Sequence, residues 1–289
     1  MKTAYNVSCT LKNATLEQEL ALCQAAGFDA ISLRIDKLRA YLRRYTRDEL
    51  QSFFRKSALR PCAMVGIHAY TGLFGPEDDP EKNRRFLEDF RFGCELLCAL
   101  GARDMIVVPP LFTEEEGRDY DLPWSQRMAE NIRIFTRLSE MARDYGVRLG
   151  IKIIDAPRCS IRTVAECNAI LDRIPGDNVG YTLDPFNFFL HGGNDNLETL
   201  RQLRGDRIFV VHVNGAAAGA TLQRQRTFPD EGELDVDRYL KILAEKGYDG
   251  PVCLDISRPE LWEMSPAGVI ARGAESLRTV LARNHLYHE

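Results

Sequence analysis

The chain has 289 residues, 45% of them hydrophobic and 28% charged, which excludes a disordered chain, a collagen-like repeat and a coiled coil. Lys and Arg number 38 against 42 Asp and Glu, a net charge of −4. No basic surplus is left to neutralise phosphates, so nucleic-acid binding is not expected.

No stretch approaches the roughly 18 apolar residues of a membrane span, and the N-terminus shows no apolar signal core, so no membrane partner is expected. The eight cysteines are scattered without a C-x-x-C pair and read as reduced, mostly buried thiols. A cytoplasmic protein is expected.

Short apolar runs predict strands at 4–9, 30–34, 61–67, 105–108, 148–154, 179–184, 207–213 and 252–256. Amphipathic stretches between them predict helices. Thr15, ahead of the stripe Leu16, Leu20 and Cys23, reads as an N-cap. A helix is expected at 81–100, with Cys94 and Cys98 on one face. Met128, Ile132, Phe135, Leu138 and Met141 recur at spacings of four, three, three and three, one face of another. Further helices are expected at 161–172, 197–203, 236–245 and 266–282. His191-Gly192-Gly193 reads as loop, and His285 and His288 as a terminal tail.

Gly27, Gly101, Gly146 and Gly247 each stand where a helix C-cap needs a left-handed residue, just before the next strand. Eight such units with no dividing linker predict one α/β domain over 1–289, a closed (β/α)8 TIM barrel. The alternative, an open doubly wound sheet, usually carries G-x-G-x-x-G in its first turn. Cys9-Thr10-Leu11-Lys12-Asn13 holds no glycine.

In such a barrel the chemistry sits at the C-terminal strand ends. Four successive strands there each offer one ionisable residue among apolar neighbours: Lys152, Asp184, His212 and Asp255. A lysine inside an apolar strand is expensive unless it faces a polar site or a carboxylate. Each residue alone has a plainer reading, since Asp184 before Pro185 could cap a helix and a buried His could satisfy a core hydrogen bond. The same position on four neighbouring strands points to one site.

At these residues the chain resembles the xylose-isomerase-like TIM-barrel superfamily of sugar isomerases, epimerases and dehydratases, and within it the inosose isomerases of inositol catabolism. The likeness runs through 20–28, 157–161, 178–180, 228–235 and 258–260. It implies a divalent metal held by Glu, Asp, His and Glu at the ends of strands five to eight, with the glutamates moving a proton between adjacent carbons of a hydroxy ketone. The matching positions are Lys152, Asp184, His212 and Asp255, so one ligand is a carbon shorter and another has reversed its charge. A substrate-contacting His of the family is Asn187 here, the acidic residues after the strand-seven His are Asn214 and Gly215, and Arg226-Thr-Phe-Pro-Asp-Glu-Gly232 keeps most of a family loop.

The resemblance implies a small polyol, ketose or keto-inositol as substrate, and a homo-oligomer is in keeping with barrels of this kind. A divalent Mn, Mg, Co or Zn would retain Asp184, His212 and Asp255 as ligands, but the Lys152 ammonium competes for the ion's place. In its stead Lys152 could polarise a carbonyl, with Asp255 as acid/base. Two other readings stay open: a lapsed barrel that binds a sugar-like ligand or a protein, and a dehydratase or Schiff-base lyase using Lys152. His68, Asn187, Arg226, Arg258, Glu260 and Trp124 are further candidates for contacting substrate.

Overall fold

Parallel strands buried on both faces read as near-continuous apolar runs, and the runs of this chain pair in that way. The computed structural model describes residues 1–113 and 115–287, so His288 lies outside the described residues. In chain order the first half holds β1 (Lys2–Asn6), α1 (Leu16–Ala25), β2 (Ala30–Arg34), α2 (Ile35–Tyr41), α3 (Arg47–Lys56), β3 (Arg60–His68), α4 (Pro80–Leu100) and β4 (Asp104–Val108). Then come α5 (Trp124–Arg143), β5 (Arg148–Lys152), α6 (Val164–Leu171), β6 (Val179–Leu183), α7 (Pro185–Gly192) and β7 (Ile208–Val213). A two-stranded ribbon, β8 (Gly215–Ala216) and β9 (Arg226–Thr227), precedes α8 (Val236–Glu245), β10 (Pro251–Leu254), α9 (Pro259–Trp262) and α10 (Pro266–Arg283).

Eight strands close into a barrel in the order β1-β10-β7-β6-β5-β4-β3-β2. Every neighbouring pair is parallel, and β1 joins β10 through Lys2 opposite Pro251 and Ala4 opposite Cys253. The barrel is therefore the closed form rather than the open sheet. The four cap glycines all take positive φ, between 67° and 79°, the left-handed turn that ends each helix ahead of its strand. Thr15 caps α1 as expected, in a reciprocal box with Gln18.

The differences are local. Residues 7–10 leave the first strand and form a 3-10 turn, strands five and eight end two residues earlier than their apolar runs, and strand six ends one earlier. Helices α2 and α3 occupy a stretch where none was expected, and 193–202 is 3-10 rather than α. His191 and Gly192 close α7 instead of lying in a loop. Cys94 is buried while Cys98 is exposed, so the two do not share an environment.

Side chains alternate across a strand, and this period of two aims the site. Lys152 follows Gly150, His212 follows Val210 and Asp255 follows Cys253 on the inward faces. Below the polar ends, Ala63, Val65, Ile106, Phe209 and Val210 form an apolar plug. Small residues set the spacing around it. A Cβ on Gly180 would stand 2.2 Å from the Arg207 carbonyl oxygen, which is backbone and cannot swing away. Gly180→Ala should therefore disturb the seam between β6 and β7 and lower the unfolding free energy by about 1–3 kcal/mol, read from urea denaturation.

Candidate active site

At the C-terminal mouth of the barrel lies a cavity of about 240 Å³. Lys152, His212, Asp255, His68, Asn187 and Arg226 line it. Asp184 sits beneath, fully buried. The strand-end quartet is thus brought together, together with three of the six further candidates.

Lys152 is the centre of the arrangement. Its Nζ lies 3.2 Å from Asp184 Oδ2 and 3.2 Å from Asp255 Oδ2. Burial alone would pull its pKa down, but Asp255 and Asp184 outweigh burial and the ammonium is held above its ordinary value. Burial likewise works against both carboxylates, yet they stay ionised. Arg226 and Lys152 hold Asp184 below the usual range, and Lys152 and then His212 hold Asp255 well below it.

Asp184 does two jobs at once. Its Oδ1 accepts the Phe186 N–H at 3.2 Å and so caps α7, where Pro185 takes the first position. Its Oδ2 faces Lys152 and accepts Arg226 Nη2 at 2.9 Å. The plainer reading of this residue and the site reading both hold.

Neutral amides orient the carboxylates and Arg226. Asn6, at the end of β1, donates to Asp255 Oδ1 at 3.2 Å. Asn214 donates to Asp184 Oδ1 and to the Asp255 carbonyl, each at 3.0 Å. Asn187 donates to the Ile153 carbonyl at 3.3 Å, while its oxygen accepts Gln223 at 3.1 Å and Arg226 at 3.4 Å. Sequence reasoning did not single out Asn6, Gln223, Arg34 or Arg158, although all four line the cavity. Their signal was position only, since each stands at or just after a strand end or on the ribbon.

Arg226 reaches the site from β9. It stacks on the Phe186 ring at 4.5 Å and returns to the Gln223 carbonyl at 2.9 Å. The loop after it needs Gly232, where φ is +85° and a Cβ would meet the Ala216 carbonyl oxygen at 1.8 Å. Arg258 does not line the cavity: its Nη1 donates to the Arg226 carbonyl at 3.1 Å, so it braces the ribbon from behind. Glu260 is exposed and lies 4.0 Å from Arg258. Trp124 opens α5, half-buried against the core and 5.1 Å from the Arg127 guanidinium. Neither Glu260 nor Trp124 is among the described residues that line the cavity.

His68 ends β3 with its ring open to the cavity. More than a third of its surface is accessible, but protein surrounds it on the remaining sides. That loss of bulk water, then the charges of Arg34 and Lys152, push its pKa down to about 4. At neutral pH the ring is uncharged.

Asp184, His212 and Asp255 offer ligand atoms within 4.8 Å of one another, a group able to contact one metal ion. His212 favours such an ion: its Nδ1 lies 2.8 Å from Asp255 Oδ2 but out of line for a hydrogen bond, and neither ring nitrogen has a hydrogen-bonding partner among the described residues. The rest of the site does not fit. The two carboxylate oxygens an ion would use face the Lys152 ammonium, and one also holds Arg226. Two buried cations already balance two buried anions, so a divalent ion would add two uncompensated charges.

The family described as a xylose isomerase-like TIM barrel matches residues 20–280 of the chain. The inosose isomerase of Halalkalibacterium halodurans is 30% identical over 288 residues, 98% of each chain. A crystal structure of the IolI protein with a bound zinc atom superposes with a TM-score of 0.86 at 27% identity, covering 98% of this chain and 99% of that one. The 3-dehydroshikimate dehydratase of Pseudomonas putida is 26% identical over 254 residues, 84% of this chain but 36% of its own.

Two measurements check the electrostatics. The imidazole of His68, followed by NMR, should titrate with a midpoint near pH 4, and Arg34→Gln should raise that midpoint by removing a cation. Elemental analysis of protein purified without chelator should find no stoichiometric divalent ion, whereas Lys152→Glu should gain one by supplying a carboxylate where the ammonium stood. A full complement in the native chain would show that Lys152 yields its place to the ion.

Proposed function

Because the chain belongs to the xylose isomerase-like TIM-barrel family, we propose that it is an isomerase or epimerase of the inosose-isomerase type. Its substrate would be a small ketose, polyol or keto-inositol. Its eight free cysteines suit a reducing cytoplasm. The observation that carries the chemistry is Lys152, fixed 3.2 Å from two buried carboxylates under an open cavity.

The reaction removes a proton from the carbon beside a carbonyl and returns one to the neighbouring carbon, or to the other face of the same carbon. Negative charge builds on the carbonyl oxygen as the enediolate forms. An ammonium fixed in place beforehand stabilises that charge without reorganising. Lys152 is held by geometry and stays protonated, so it donates N–H bonds to the substrate oxygen in the position a metal would otherwise take. Of the two carboxylates, Asp255 is the one that reaches the cavity, and it is the acid/base of this reading. Asp184 remains beneath as counter-charge and helix cap.

The raised pKa of Lys152 disfavours the Schiff-base lyase, which needs a neutral amine. A dehydratase would share the first proton abstraction and then expel a hydroxyl two carbons from the carbonyl carbon. The binding barrel without turnover is favoured by one observation: Asp255 is held so firmly ionised that it is a weak base.

Proton exchange separates these readings. Incubated in D2O with an accepted ketose, the native chain should place deuterium on the carbon beside the carbonyl, read by NMR. Lys152→Ala and Asp255→Asn should each slow that exchange by about 10²–10⁴-fold. Full exchange in both variants would remove these residues from the mechanism, and ligand-induced thermal stabilisation without any exchange would establish the binding barrel.

A further inference from the structure

The charge lining the cavity is lopsided once the quartet is set aside. Lys152 and Arg226 are balanced by Asp184 and Asp255. Arg34 then adds a guanidinium to the lining, where Asp255 is the one carboxylate among the described residues.

Arg34 is the last residue of β2 and is about a quarter exposed. It spends Nε on Asp36, which lies on the outer side and is itself 57% exposed. No hydrogen bond engages its two terminal nitrogens among the described residues. That leaves half of a planar fork, the half suited to paired oxygens, without a hydrogen bond among the described residues on a residue that lines the cavity. Arg158, which also donates to the Phe112 carbonyl at 3.2 Å, brings a second guanidinium to the same space.

Position in the barrel gives the span. Arg34 ends β2 and Lys152 ends β5, three strands apart in a ring of eight. One molecule touching both must carry its two polar groups at opposite ends of a short carbon chain. His68 on β3 stands on the arc between them, and being uncharged at neutral pH it leaves the charge recognition of an anion to Arg34.

Resting on the isomerase reading above, we infer that the cavity takes a hydroxy ketone bearing an anionic oxygen group, a carboxylate or a phosphate, which Arg34 binds while the carbonyl lies on Lys152. A neutral sugar fills the same space but gives the terminal nitrogens of Arg34 no anionic acceptor, since Asp36 engages Nε alone. Arg34 is a specificity-determining residue in this scheme and takes no part in moving the proton.

Three six-carbon ketoses that differ at the last carbon test the inference: fructose, fructuronate and fructose 6-phosphate. By calorimetry on the native chain, one of the two anionic ketoses should bind at least about tenfold more tightly than fructose, with a preference that shrinks as salt rises. Tighter binding of fructuronate identifies a carboxylate site, and of fructose 6-phosphate a phosphate site. Arg34→Gln should abolish the preference, and Arg34→Lys should keep part of it by retaining charge without the fork. Thermal unfolding of each variant shows that it is folded. Fructose binding as tightly as both anions, no binding of either anion, or an undiminished preference in Arg34→Gln would each overturn the inference. Deuterium exchange separates the two readings. Exchange into neutral ketoses without anionic preference sinks this inference alone, whereas anionic preference without exchange sinks the isomerase reading and leaves the anion site standing.

Discussion

Everything at the barrel mouth depends on one ammonium group held between two carboxylates. Two buried aspartates at the ends of β6 and β10, with only β7 between them, would repel each other and be driven to protonate. Lys152, 3.2 Å from each, keeps both ionised, with Arg226 as the larger influence on Asp184. The reverse is equally true, since a buried lysine without them would lose its proton. Removing one partner of such a set is far more damaging than the pairs are stabilising, because the survivors remain buried and uncompensated. The site is best regarded as a single charged unit with mutual dependence.

That unit is aimed by neutral groups. Asn6 and Asn214 donate to the carboxylates, and Asn187 accepts from Arg226, fixing the unit without altering its charge balance. Arg226 closes the set from the ribbon, and its own backbone is braced by Arg258. Beneath, the apolar plug of Ala63, Val65, Ile106, Phe209 and Val210 excludes water and raises the strength of every interaction above it. Arg258 therefore matters to the site although it does not line the cavity. Its effect passes through the Arg226 carbonyl.

Much of this was legible in the residues, and the rest was hidden for definable reasons. Alternating apolar runs and glycines at four helix ends determined a barrel, because few arrangements satisfy eight repeats and a left-handed cap before so many strands. The quartet was legible for the same reason: a strand period of two makes position predict direction. Helix α3 was missed although Thr46 and Glu49 spell a capping box that forms in the fold. Its apolar stripe is thin, with Leu50 and Phe54 alone fully buried. Helix α2 gave less warning, being seven residues long with no side-chain cap. Asp184-Pro185 carried the sign of a helix start, yet its polar role and its capping role looked like alternatives when they are simultaneous. Trp124 was drawn in as an apolar wall and Glu260 by its place in the family's Arg-Pro-Glu run, and nothing in a linear pattern shows that one opens a helix against the core and the other turns out to solvent.

The comparison with a zinc-bearing relative sharpens what the lysine changes. A metal ion and an ammonium both present positive charge to a substrate oxygen, but they differ in what they require. An ion needs open coordination positions and deprotonated ligands around it, and it accepts lone pairs from several directions. An ammonium offers three N–H donors, and here one of them goes to Asp255 while Asp184 lies 3.2 Å away as a second counter-charge. Directed donors already committed to two carboxylates grip a two-oxygen hydroxy ketone less completely than an ion that can take both oxygens, so orientation at that end is helped by contacts elsewhere in the cavity. Arg34, three strands away and lining the same cavity, is placed to supply it. The loss of the ion's grip and the presence of a distant guanidinium are then two sides of one arrangement, in which binding energy remote from the reacting carbons orients them.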